Sequence, residues 1–232
     1  MKRVFIYCIL LCACLSCSKK KAEPDVAWDK YYPTKIGSGN VYEFTQIKID
    51  VLAEKRDTSV FYVQELFSAC ISDTNSCKVY AVNSFKSETP YGPWQPYLSS
   101  SVQKYPHSIV EVEQNVPYQI LKFPAKFDYS WDLNLFNTND EQLAHYEKIQ
   151  TTDTILEVPY DSVLVVLQQD FKTLYSWQYG EARYAKNIGM IYRKAIDVES
   201  QPNHAQIDLS KPIEERITKG SITQYRLVYR QQ

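Results

Sequence analysis

Short segments of alternating hydrophobic and polar residues recur along most of this chain, and such alternation is typical of strands with one buried face. Near the C-terminus, Tyr225, Leu227 and Tyr229 alternate with mostly polar neighbours and predict a half-buried strand. A turn is predicted at residues 114–117. Segments rich in β-branched and aromatic residues predict further strands at Val60–Phe67, Lys78–Phe85, Ser108–Glu113, Tyr118–Phe123, Thr154–Val158 and Ser162–Gln168.

One early segment changes the parity of its hydrophobic positions. Tyr42 and Phe44 fall on one face of an extended chain, whereas the apolar positions of residues 47–51 fall on the other. Either a β-bulge at residues 45–46 or two separate short strands would produce this change.

Helical periodicity is weak throughout. The best helix candidate is Asp140–Ile149, with Asn139 as a cap, although His145–Gln150 fits an edge strand equally well. We therefore expect an all-β fold, or a β-rich α+β fold with at most one short helix. Its sheet is expected to be mostly antiparallel, twisted, and curled into a sandwich or an open barrel.

The N-terminus carries a targeting signal. Two basic residues follow Met1, and the apolar run Val4–Leu15 reaches less than about 20 Å as a helix, short of a bilayer core of about 30 Å. This pattern predicts a signal peptide rather than a membrane span.

The signal ends in Leu15-Ser16-Cys17, which resembles the bacterial lipobox. In that motif, cleavage leaves the cysteine as a lipidated first residue, and the acyl chains hold the protein on a membrane. Lys19–Lys21 would then lie at anionic headgroups. Cys14 is a second candidate for lipidation, and an ordinary secretory signal is the alternative. The predicted organisation is a signal peptide (1–16), a lipidated Cys17 with a tether (17–30) and one β-rich domain (31–232).

Charge argues against nucleic acid as a partner. The chain has 26 basic and 27 acidic residues, and loss of Lys2 and Arg3 with the signal peptide leaves 24 against 27, a net charge of −3. A domain with no basic excess lacks the electrostatic footprint of a nucleic-acid-binding protein. The predicted partner is the membrane, through the N-terminal anchor.

Cys70 and Cys77 are the two cysteines of the body of the chain and flank the polar segment 71–76. Outside the cytoplasm, this arrangement predicts a disulfide across the mouth of a β-hairpin, worth about 2.5 kcal/mol. Two free or buried thiols are the alternative.

Four stretches resemble a large group of bacteroidete-type envelope lipoproteins. They are YYPTKIGSGNVYEF (31–44), WDLNLFN (131–137), YAKNIGMIYRK (184–194) and GSITQYRL (220–227). The resemblance implies a membrane-anchored lipoprotein built mostly of β-structure, and it brings no agreed activity, ligand or catalytic residue. In similar lipoproteins an acidic stretch after the cysteine favours surface display. Lysines occupy that place here, so an outer-membrane lipoprotein facing the periplasm is expected.

No constellation for catalysis or metal binding is evident in the sequence. His107, His145 and His204 are far apart, and neither a His-Glu-x-x-His motif nor a Gly-x-Ser-x-Gly motif is present. The oxygen-rich segment 132–141 has calcium-type ligands but lacks the glycine of an EF-hand loop, so we expect a capped turn there. No catalytic residue, metal or cofactor is predicted.

Two aromatic groups are the candidates for ligand binding. The first group lies in a segment with Pro and Gly, which is expected to be a loop and not a central strand. The residues of the second group are two apart in sequence, so in an extended segment their rings would lie on one face. Such rings suit stacking on sugars, gripping an extended peptide or enclosing an apolar ligand, although they could equally close the end of the core. The two groups are Tyr91, Trp94 and Tyr97, and Phe127, Tyr129 and Trp131.

Three functions follow from these observations. The leading one is a non-enzymatic envelope lipoprotein that acts through a protein partner or as a structural component. The alternative is a binding or carrier module for lipid, glycan or peptide, which requires a cavity or groove. A hydrolase is the third and would require a site assembled from distant residues.

Overall fold

In a computed structural model that describes residues 28–71, 78–200 and 210–231, the chain forms one antiparallel sheet of twelve strands. No α-helix occurs in these ranges, which confirms the all-β prediction. Short 3₁₀ turns lie at Trp28–Tyr31 and Ile213–Glu215. The strands are β1 (Gly39–Asp50), β2 (Lys55–Cys70), β3 (Val79–Ser87), β4 (Gln95–Tyr105), β5 (Ser108–Glu113), β6 (Val116–Lys122), β7 (Ser130–Asp132), β8 (Leu143–Ile155), β9 (Val158–Lys172), β10 (Ser176–Ala185), β11 (Gly189–Glu199) and β12 (Lys219–Gln231).

The sheet order is β6-β5-β4-β3-β2-β1-β12-β11-β10-β9-β8-β7. The first and last strands therefore pair at the centre of the sheet, along Gly39–Asp50 of β1 and Lys219–Gln231 of β12. On each side of this pair, strands that are consecutive in sequence are also neighbours in space, as short antiparallel connections require.

The two outermost strands of the sheet approach each other. The Gln119 N–H in β6 donates to the Leu133 carbonyl just after β7 (2.8 Å), and the Trp131 indole N–H in β7 donates to the Gln119 carbonyl (2.8 Å). The sheet is thus nearly closed into a barrel, which confirms the predicted curl.

Two hydrophobic clusters form the core. The first joins β3–β6 to β7–β10, and the second joins β8–β12 to β1. Leu164 and Val166 belong to the first cluster, whereas Val163 and Val165 belong to the second. Because neighbouring residues of a strand point to opposite faces, β9 is buried on both faces.

The predicted helix at Asp140–Ile149 is wrong, and the alternative of a strand at His145–Gln150 is confirmed, because these residues lie in β8. The register of β8 with β9 is irregular three times between Tyr146 and Asp153. Such irregularities break the two-residue alternation. The buried Tyr146 donates its hydroxyl to the Lys122 carbonyl (2.7 Å), which fixes it in the core.

Two other local predictions are also wrong. The segment Thr154–Val158 is not one strand, because Leu156 and Glu157 adopt positive φ angles and form the turn between β8 and β9. β1 runs unbroken through residues 45–46, and its register shift lies at Val41/Tyr42, opposite β12. The parity change in β1 instead reflects burial on both faces. The predicted turn at residues 114–117 is confirmed at residues 114–115.

The predicted signal peptide, Cys17 and most of the tether lie outside the described residues. Within the described ranges, no helix has the length and apolarity that crossing a bilayer requires.

Close packing of β1 on β2 makes Gly39 a sharp test of the fold. A Cβ at Gly39 would lie 1.8 Å from the Glu65 carbonyl oxygen. This oxygen belongs to the backbone of β2, so the clash can be relieved only if the paired strands move apart. We expect Gly39→Ala to lower the free energy of unfolding by about 3 kcal/mol. Urea unfolding followed by tryptophan fluorescence measures the loss.

Gly37→Ala is the matched control. Gly37 has a φ of +85°, and a Cβ added there would have no heavy atom within 4 Å, so only backbone strain opposes the change. Its expected cost is about 1–2 kcal/mol. A smaller loss for Gly39→Ala than for Gly37→Ala would contradict the packing of β1 against β2.

Candidate functional site

A cleft of ≈ 330 Å³ lies beside the connection between β3 and β4. Its lining comes from β1, β2, β3, β4 and the connecting loop, so it lies on a face of the sheet and not along an edge. Phe61 and Glu65 lie on the same face of β2, because the register of β2 with β1 is regular between them. The lining residues are Gln46, Phe61, Lys86, Ser87, Glu88, Pro93, Gln95 and Tyr97.

Two aromatic rings are fixed in the cleft. The rings of Phe61 and Tyr97 meet nearly at right angles with centroids 5.8 Å apart, and the Phe61 ring rests on Phe44 at 4.9 Å. The Lys86 ammonium lies 5.8 Å from the centre of the Tyr97 ring. Since Phe44 is buried, the sheet holds both rings in place.

The structure separates the first predicted aromatic group. Tyr97 lies in β4 and lines the cleft, which corrects its assignment to a loop; Pro96 fits there because β4 pairs with β5 only from Ser101 onward. Tyr91 is 82% exposed and stacks on Tyr229 at 6.0 Å, outside the cleft lining. The half-buried Trp94 packs against Gly92 of its own loop.

The second predicted group is also divided. Trp131 is only 3% exposed and belongs to the core, whereas Phe127 is 66% exposed. Tyr129 lies under the Lys122 ammonium, 4.9 Å from its ring centre. Residues 123–129 are irregular, so shared parity does not place these rings on one face. Ligand binding by either group stays a prediction.

The remaining predicted positions are dispersed. Cys70 ends β2, and Cys77 lies outside the described residues, so the disulfide between them stays a prediction. His107 lies in the β4–β5 turn and His145 in β8, while His204 is outside the described residues. Within the described ranges, no three His, Cys, Asp or Glu side chains cluster as metal ligands would.

The oxygen-rich segment 132–141 forms the capped turn that we expected. Asp132 Oδ1 accepts hydrogen bonds from the backbone N–H groups of Asn134 and Gln142, both at 2.9 Å. The Asn134 side chain donates to the Asp140 carbonyl at 2.6 Å. These oxygens are thus used to hold the turn.

The sequence did not predict two small cavities inside the barrel that share Glu65 of β2 and Glu111 of β5 as lining residues. The first, of ≈ 40 Å³, lies where the two core clusters meet and is also lined by Tyr42 and Tyr184. The second, of ≈ 80 Å³, is also lined by Glu113, Tyr97 and Tyr225, and it opens to solvent at the exposed Leu98 and Gln114. Tyr97 therefore lines both this second cavity and the cleft.

The carboxylates around these cavities are only partly neutralised. Arg193 of β11 pairs with Glu113 at 2.9 Å and with Glu111 at 4.0 Å. Burial, reinforced by the negative charge of Glu113, raises the pKa of Glu65 to about 7 and that of Glu111 to about 8, although Arg193 opposes both shifts. Burial also raises the pKa of Tyr184.

The sequence pattern did not predict that the carboxylates of Glu65, Glu111 and Glu113 would lie together. Glu65 and Glu111 lie in strand segments rich in apolar residues, and an inward-facing carboxylate can be recognised there only once the buried face is known. The approach of β2 to β5 across the barrel is not encoded in any local spacing.

Comparison with known proteins assigns no family. No protein-family model and no curated protein matches the sequence. One similar solved structure is described as "a putative lipoprotein from Parabacteroides distasonis ATCC 8503". It shares 9% identity at a TM-score of 0.38, over 87% of this chain and 98% of that one.

The raised carboxyl pKa values predict that stability decreases as pH rises from about 5 to 9. Both carboxyls ionise at a lower pH in the unfolded chain, so the folded state binds more protons between the unfolded and folded pKa values. Glu65→Gln should therefore raise the melting temperature at pH 8.5 by about 2–4 °C and leave it nearly unchanged at pH 4.5.

Melting curves at constant ionic strength measure this effect. Glu141→Gln, on the exposed connection before β8, is the control and should keep the pH dependence of the wild type. If Glu65→Gln melts at the wild-type temperature at every pH, Glu65 is not a buried titrating group.

Proposed function

We propose that this chain is a non-enzymatic lipoprotein of the bacterial envelope whose β-domain binds a glycan in the cleft beside Tyr97. The observation that carries the proposal is the cleft itself, where two fixed aromatic rings stand among hydrogen-bonding side chains. We prefer a binding module to a purely structural role because the volume of the cleft is in the range of small-molecule binding sites.

The lining favours a glycan over the other ligand classes. Sugars present C–H faces to aromatic rings and hydroxyls to amides and carboxylates, and Gln46, Gln95 and Glu88 supply those groups. A lipid tail would need a mostly apolar lining. A peptide added as a strand would need a sheet edge, whereas this cleft lies on a face.

Anchoring is proposed from the sequence. The lipobox-like Cys17 and the following lysines support attachment to the outer membrane, on its periplasmic side. The domain would then present its cleft to glycans of the envelope.

Tyr97→Ala tests the cleft. Loss of the ring should weaken glycan binding at least about ten-fold, or ~1.4 kcal/mol, because the stacking surface disappears. The measurement is a glycan array followed by calorimetry, preceded by native mass spectrometry of protein purified gently from an envelope extract.

Tyr91→Ala is the matched control, since it removes a tyrosine that stacks on Tyr229 outside the cleft lining. Equal loss in both variants, or no glycan bound at all, would contradict the proposal. In the second case, cross-linking of the full-length lipidated chain would test the alternative of a protein partner.

Cys17→Ser tests the anchor. The variant should leave the membrane fraction and lose the mass of the acyl chains from its N-terminal peptide. Cys14→Ser is the control and should remain attached. Release by Cys14→Ser, with retention of Cys17→Ser, would assign lipidation to Cys14.

A further inference from the structure

The second interior cavity differs from the cleft in its charge. Three carboxylates line it, those of Glu65, Glu111 and Glu113, and no basic residue does. In the first cavity, Arg230 is the single basic residue of the lining. Buried carboxyls avoid the cost of an unpaired charge either by staying protonated, as the raised pKa values of Glu65 and Glu111 allow, or by pairing with a cation.

When all three carboxyls are ionised, their pairing leaves negative charge uncompensated. Arg193 donates to Glu113 at 2.9 Å but stands 4.0 Å from Glu111, so one guanidinium serves two carboxylates. Among the residues that the structure describes, the Glu65 carboxylate has no hydrogen-bond or ion-pair partner, although it lines both cavities.

We propose that the second interior cavity binds the primary ammonium group of an organic ligand between Glu65 and Glu111. Tyr225 and Tyr97 supply aromatic surface next to the carboxylates, which suits an ammonium group. Ser84 and Ser100 are further polar residues of the lining. A volume of ≈ 80 Å³ accepts a head group, and the rest of the ligand extends beyond the cavity.

An organic cation fits better than a metal ion. The described ranges contain no group of three His, Cys, Asp or Glu side chains placed to hold a metal ion, and two tyrosine rings form part of the lining. An ammonium donates three hydrogen bonds and needs no closed ligand shell.

Proton linkage gives the proposal a pH signature. With pKa values of about 7 and 8, Glu65 and Glu111 are largely protonated at pH 6 and become ionised toward pH 9. A simple alkylamine such as butylamine stays charged over this range, so its affinity should rise with pH. The groups that act on these two carboxyls are Glu113 of β5, Arg193 of β11, Tyr42 of β1, Tyr184 of β10, Tyr225 of β12 and Tyr32.

The ammonium group could belong to a free amine or to an amino sugar. Since Tyr97 lines both the cavity and the cleft, an amino sugar could contact both. The inference does not require the glycan proposal, because a free amine would occupy the cavity alone.

Calorimetry on the full-length lipidated chain, in micelles of an uncharged and sugar-free detergent, tests the inference. Butylamine is the probe, and 1-butanol is its neutral counterpart. At pH 8.5 butylamine should bind at least ten-fold more tightly than butanol, and its affinity should fall at least ten-fold at pH 6. Equal binding of the two probes, or an affinity independent of pH, would overturn the proposal.

Glu65→Gln and Glu111→Gln test the residues. Each should weaken butylamine binding at least ten-fold at pH 8.5, whereas the exposed control Glu141→Gln should leave it unchanged. Both substitutions preserve side-chain volume, and melting curves verify that the variants are folded. If both variants bind butylamine as the wild type does, the assignment is wrong.

Glucosamine and N-acetylglucosamine, compared at pH 7, where the glucosamine amine is still largely charged, distinguish an amino sugar from a free amine. If glucosamine binds more tightly than butylamine and is weakened by Gln95→Ala, which alters the cleft lining and not that of the cavity, the ligand is an amino sugar. If butylamine binds and glucosamine does not, the ligand is a free amine. Binding of N-acetylglucosamine as tight as that of glucosamine would support the cleft and overturn the ammonium site.

Discussion

The pairing of β1 with β12 is the interaction on which the rest of the molecule depends. It joins the two ends of the described chain along Gly39–Asp50 and Lys219–Gln231, at the centre of the sheet order. Without it, β1–β6 and β7–β12 would be two separate meanders. With it, the outer strands β6 and β7 can reach each other, and the seam at Gln119 and Leu133 nearly closes the barrel.

Closure also creates an interior in which an ionised side chain loses its hydration at a cost in free energy. Glu65 comes from the neighbour of β1, Arg193 comes from the neighbour of β12, and Glu111 comes from β5. Their approach across the barrel leaves three carboxylates near one guanidinium, and burial raises the pKa of two of these carboxyls. The cation that we propose for the cavity would offset this cost. The cleft is different, since its Phe61 ring packs on the buried Phe44 and the Tyr97 ring packs on Phe61.

Much of the fold could be predicted because strand alternation is a local signal. Residues of β2, β3, β5, β6, β9 and β12 were recognised from their apolar periodicity. β4 was missed because Ser99–Ser101 interrupt its apolar residues, and β10 and β11 were missed although both pair along their length. β8 resembled a helix because its register irregularities disturb the two-residue period. The aromatic residues were identified in the sequence, but they do not form one binding site in the structure. Trp131 is buried in the core, whereas Tyr91 is exposed.

The sequence by itself determined the all-β class and the approximate position of many strands, because backbone geometry ties side-chain direction to a period of two. It also carries the N-terminal pattern that predicts a lipidated signal peptide, on which the proposed anchor rests. Only the tertiary structure decided which aromatic ring lines the cleft, and only it brought Glu65 and Glu111 to one cavity. β2 and β5 are separated in the sheet by β3 and β4. Their side chains meet because the sheet curls, and curl is a property of the whole assembly of strands.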